Sequence, residues 1–155
     1  MRNHQKLSIL FFLILISTSS CASIMTPEVE TTTPEVSIPA PSPGKAVIYG
    51  FLFNQKTDDP VSGVPFLARA LISENPDVPI TVSFSNQNDP GADYNAETGF
   101  FLFENIEPAD NYVILIVFGP GNRQVIREPD SEKPLIISVD EGESLDMGTI
   151  DFEEN

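Results

Sequence analysis

Residues 99–119 read "GFFLFENIEPADNYVILIVFG". Two apolar runs, "GFFLFENI" and "NYVILIVFG", flank the short break "EPAD". Both runs are aromatic and β-branched, and neither has a helical period. Their apolar residues follow one another instead of alternating with polar ones. That pattern predicts central strands covered on both faces. Pro108 ends the first strand because it has no N–H to give to a ladder.

The pattern extends outward on both sides. Upstream, "KAVIYGFLF" (45–53) places Val47, Tyr49, Phe51 and Phe53 on one face. "VPFLARALI" (64–72) alternates Phe66, Ala68, Ala70 and Ile72 against Leu67, Arg69 and Leu71. "ITVSFS" (80–85) sets Ile80, Val82 and Phe84 inward. Downstream, "PLIISV" (134–139) and "LDMGTIDF" (145–152) close the chain. The breaks between runs carry turn residues: "TDDPVSG", "ENPDVP", "NDPGAD", "GPGN", "REPDSEKP" and "DEGE". Short strands at this spacing predict an all-β fold, a single β-sandwich of seven to eight strands over residues 45–152. Residues 153–155 are expected as a frayed tail.

The front of the chain reads differently. Arg2 and Lys6 precede "LSILFFLILI" (7–16), and "STSSC" (17–21) follows. A basic start, an apolar run and small residues are the three parts of a secretory signal. The apolar run is far short of the roughly 20 residues that cross a bilayer. Ser19, Ser20 and Cys21 resemble the cleavage box of bacterial lipoproteins, in which the cysteine is lipidated and becomes the first mature residue. Thr18 departs from that box, where leucine is commoner. A cut after Ala22, which would discard Cys21, is the alternative. Cys21 is the chain's single cysteine, so no partner thiol explains it. The expectation is a signal peptide over 1–20 and lipidation at Cys21. The protein would then be exported and held at the cell membrane or envelope.

Residues 22–44, "ASIMTPEVETTTPEVSIPAPSPG", repeat "TPEV" and show no apolar period. Such a composition buries too little surface to offset chain entropy. Residues 21–44 are therefore expected to be a disordered Pro/Thr/Glu-rich linker.

Composition narrows the chemistry. Net charge is -15. Loss of Arg2 and Lys6 with the signal leaves six basic against 23 acidic residues. This argues against nucleic acid as a partner, since phosphates attract Lys and Arg. The single histidine, His4, goes with the signal, and the chain has no tryptophan. A Ser-His-Asp triad, a Cys-His dyad and a His/Cys zinc site are thereby excluded from the mature chain. Only oxygen ligands remain, which suit calcium or magnesium.

Two weaker candidates lie in "NDPGADYNAE" (88–97). Asp89, Asp93, Asn95 and Glu97 could hold calcium, although their spacing is not that of an EF-hand loop. A polar turn between strands is the alternative. Tyr94, beside these acids, is a candidate for sugar contact, with Tyr49 as a second. The phenylalanines are expected in the core.

In order, "YGFLFNQKTDDPVSGVPFLARA", "AETGFFLFENIEPADNYVILIV" and "ISVDEGESLDMGTIDF" resemble the carboxypeptidase regulatory-like domain, a transthyretin-like (Ig-like) β-sandwich. The resemblance spans nearly all of residues 46–152. It rests on Pro60-Val61-Ser62-Gly63, Thr98-Gly99-Phe100, Phe103 to Ile106 with Pro108 and Tyr112, and Gly148. Gly63 and Gly99 are expected at positive φ, and Tyr112 is expected to reach a backbone partner with its hydroxyl. The family usually has Gly before that tyrosine. Asn111 stands there instead and is expected to keep the left-handed turn. The resemblance implies a non-catalytic module with a structural or adhesive role, through protein or polysaccharide contact. The competing expectation is a small-ligand, carbohydrate or calcium-binding module, or an accessory subunit of an envelope complex.

Overall fold

The computed structural model describes residues 36–154. The segment expected as a signal (1–20), Cys21 and most of the expected linker lie outside the described residues. The strands belong to the compact unit Ser37–Asn155.

That unit is all β, with no helix among the described residues. Nine strands follow in order: β1 (Ala46–Asn54), β2 (Val64–Leu71), β3 (Thr81–Ser83), β4 (Asp93–Tyr94), β5 (Phe100–Ile106), β6 (Ala109–Gly119), β7 (Asn122–Val125), β8 (Ile137–Val139) and β9 (Ser144–Phe152). Seven match the runs read from the sequence. The other two, β4 and β7, are two and four residues long, too short to show a period.

The strands form two sheets. The four-stranded sheet has the order β4-β5-β1-β9. The five-stranded sheet has the order β3-β2-β6-β7, with β8 also on β6. β1 is antiparallel to β5 but parallel to β9. The register Ile48↔Phe103 and Gly50↔Phe101 sets one side of β1 and β5 against the opposite sheet. Ile48, Leu52, Phe101 and Phe103 meet Leu67, Ile114 and Ile116 in the core between the sheets. Full burial of each such side chain contributes about 1.5–3 kcal/mol. Ala46, Ile48 and Leu52 of β1 therefore face the core; Tyr49, Phe51 and Phe53 point to the outer side and are partly buried, and Val47 on that side is buried.

A second apolar cluster explains why β2 and β6 lack clean alternation. Ala68, Ala70, Val113 and Leu115 are buried on the outer side of the five-stranded sheet. Ile80, Val82 and Phe84 pack over them. Phe84 meets Phe66 edge-on, with ring centroids 5.3 Å apart. Both faces of β2 and β6 are covered, as their continuous apolar runs require.

Several local expectations change. Gly99 has φ +73° as expected. Gly63 does not have positive φ; there a Cβ would lie 2.4 Å from Ile116 Cγ2, so glycine is needed for close packing. Asn111 is not left-handed either. It continues β6, and its side chain ties β6 to β2: Nδ2 donates to the Ala70 carbonyl at 2.9 Å and Oδ1 accepts from Arg69 at 2.8 Å. The left-handed residue in this region is Asn105, with φ +56°. It sits where the β1–β5 register shifts between Ala46 and Ile48. Its Oδ1 accepts from the Ser42 hydroxyl at 2.9 Å, which seats the end of the linker stretch on the sandwich. The tail is also engaged. Glu153 pairs with Lys56 at 3.0 Å and Glu154 accepts from Asn54 at 3.3 Å.

Candidate functional site: an aromatic face on the four-stranded sheet

Period-two geometry decides what the outer side of the four-stranded sheet carries. Successive side chains of a strand point to opposite faces. With Ile48 and Leu52 committed to the core, Tyr49, Phe51 and Phe53 stand on the outer face, partly buried. On one flank, Phe51 is opposite Phe100 of β5, and Tyr49 is opposite Leu102. The rings of Phe51 and Phe100 meet edge-on, 5.5 Å between centroids and 64° between planes. On the other flank, Tyr49, Phe51 and Phe53 are opposite Asp146, Thr149 and Asp151 of β9. The result is an aromatic row along β1 with a carboxylate beside each end.

The bulge in β9 makes this alignment possible. Gly148 takes φ +62°, and the β1–β9 register shifts between Tyr49 and Phe51. The Asp146 carboxylate accepts the Gly148 N–H at 2.8 Å. Gly50 lies opposite, where a Cβ would be 2.7 Å from the Gly148 carbonyl oxygen. The extra residue brings Thr149 and Asp151 back into step with the outward side of β1.

Exposed acids also line the β4–β5 side. Asp93 is opposite Leu102, and Glu104 follows on β5. Among the described residues, Asp93, Glu104 and Asp151 take part in no ion pair and no side-chain hydrogen bond. The cations are committed elsewhere. Lys45, Lys56 and Arg127 pair with Glu107, Glu153 and Glu132. Arg69 and Arg123 lie over the Tyr112 and Phe84 rings. Lys133 lies between β7 and β8.

The loop candidates from the sequence do not assemble into a site. Asp89 accepts the Ser85 N–H at 2.6 Å, closing its own loop. Asn95 accepts from Glu97 and Thr98 N–H at 2.9 and 3.2 Å, closing the turn into β5. Asp93 is in β4 and Glu97 is exposed in that turn. No group of three or more His, Cys, Asp or Glu among the described residues could hold a metal ion. Tyr94 turns inward. It packs against the core, and its hydroxyl donates to the Val61 carbonyl at 2.6 Å. Burial raises its pKa from the usual 10.0. Of the two tyrosines considered for surface contact, the outward one is Tyr49.

The other sheet offers less. An open cleft of about 270 Å³ is lined by Val82, Phe84, Leu115, Arg123 and Val125. Its cation already sits 5.7 Å from the Phe84 ring centroid. Sequence reasoning passed over Phe51, Phe53 and Phe100 because phenylalanine in a strand reads as core. The signal was present in the "YGFLF" alternation, where either side could have been the inner one. The chain matches no family model, and no curated protein or solved structure is a significant match to it.

Proposed function

We infer that this is an exported protein, anchored in the cell envelope through lipid on Cys21, whose β-sandwich is a non-catalytic contact module. The observation that carries the contact role is the outward aromatic row Tyr49, Phe51 and Phe53, with the exposed carboxylates Asp146 and Asp151 beside its two ends. Aromatic side chains outside a core supply contact area at low entropic cost. One fact favours contact over catalysis: no polar or charged residue is buried among the described residues. The motif order resembling the carboxypeptidase regulatory-like domain supports the same role, since that family implies a module without chemistry of its own. The partner is a protein or polysaccharide of the envelope, and the acidic composition disfavours nucleic acid.

The tether is tested by fatty-acid labelling and fractionation of cells making the full chain or Cys21→Ser. The wild type should carry label and sediment with membranes, and the variant should lose both properties. A variant that stays membrane-bound and labelled overturns the anchor.

A further inference from the structure

We propose that the outer face of the four-stranded sheet binds an extended, basic segment of a partner protein, with Lys or Arg at alternate positions. This rests on the reading of the domain as a contact module and names the chemistry of what it contacts.

Spacing and charge carry the proposal. Tyr49, Phe51 and Phe53 are each two residues apart on one strand, so the rings repeat at about 6.8 Å. An extended peptide repeats its same-side residues at the same distance. Cations attract aromatic faces, and their aliphatic stems cover apolar surface. Asp146 and Asp151 stand opposite the first and last rings of the row, within reach of such head groups. Asp93 and Glu104 flank the far side and lack cationic partners among the described residues.

The same charges disfavour the other occupants. A second copy would set acids against acids. The linker, with Glu28, Glu30 and Glu35 and no cation between Cys21 and Gly44, carries the wrong sign. A neutral glycan would stack best on coplanar rings, whereas Phe51 and Phe100 are inclined at 64°. A cation needs only the face of a single ring, so tilted rings still serve ammonium and guanidinium groups.

The test is fluorescence anisotropy with the full chain and a labelled peptide of roughly ten residues alternating Lys and Thr. A Glu/Thr peptide and a neutral hexasaccharide are the comparison probes. The Lys/Thr peptide should bind, and the other two should not. Raising salt from about 50 to about 300 mM should weaken binding several-fold. Phe51→Ala should weaken it about tenfold. The Asp93→Asn/Asp151→Asn pair, which removes charge without opening the core, should weaken it about fivefold. Glu74→Gln/Asp77→Asn, in the β2–β3 connection, should leave it unchanged. Equal weakening by both charge pairs would mean diffuse attraction and overturn the proposal, as would indifference to Phe51→Ala. Binding of the hexasaccharide alone would overturn the basic-segment proposal while supporting the contact module. The anchor is read separately by fractionation, so either can fail without the other.

Discussion

The Arg69 guanidinium lies 3.9 Å from the centroid of the Tyr112 ring and donates to its hydroxyl at 2.8 Å. That hydroxyl in turn donates to the Glu107 carbonyl at 2.9 Å. One tyrosine thus ties β2, β6 and the β5–β6 corner together. Tyr112→Phe leaves the Glu107 carbonyl without this donor and Arg69 without this acceptor. The expected cost is about 1–3 kcal/mol. Tyr49→Phe removes a hydroxyl with no such role and should stay within about 0.5 kcal/mol. Urea unfolding of the two variants checks the contrast.

Alkaline pH should unfold the domain through its inward tyrosines. Burial raises the pKa of both Tyr94 and Tyr112 above 10.0. The folded state holds these protons more tightly than the unfolded state does. Their contribution is therefore complete below pH 10.0 and is lost as pH rises through the folded values. Urea midpoints measured from about pH 8 to about pH 11.5 should fall at the upper end. Tyr94→Phe should flatten that fall.

Gly63→Ala tests the close approach of the loop before β2 to β6. The new methyl would lie 2.4 Å from Ile116 Cγ2 and 3.0 Å from Phe118 Cδ1. Both neighbours are large side chains on a central strand, so the strain is expected to cost about 1–3 kcal/mol. The denaturation midpoint should drop accordingly, with the all-β circular dichroism spectrum retained.

Calcium should leave thermal unfolding unchanged. Asp89 and Asn95 already accept backbone N–H groups, and no described carboxylate cluster is available. A specific site filled at 100 times its dissociation constant would add about 2.7 kcal/mol. Scans with calcium and with a chelator would reveal a shift of that size.

The sandwich was legible where information is local. Short apolar runs, some alternating and two continuous, marked seven strands, and turn residues marked the gaps between them. What was not legible depends on long-range packing. Nothing local says that Gly63 faces Ile116, or that Asn111 reaches Ala70 rather than turning the chain. Tyr94 in "GADYNAE" has polar neighbours in sequence, yet its ring is directed inward by the pairing of β4 with β5. The aromatic face was hidden for a related reason. A strand with large apolar residues on both sides declares two faces, and only its pairing with β5 and its packing against β6 choose the inner one.

The parallel pairing of β1 with β9 bears on how the domain carries mechanical force. The chain enters β1 at Ala46 and leaves β9 at Phe152, so those points lie at opposite ends of one sheet. The separation is about 30 Å for nine residues of strand. Tension applied at Lys45 and resisted on the outer face runs along β1. That strand is bonded on both sides, to β5 and β9. Its hydrogen bonds would be stretched together in shear instead of being unzipped one by one, the stiffer of the two ways to pull a strand from a sheet.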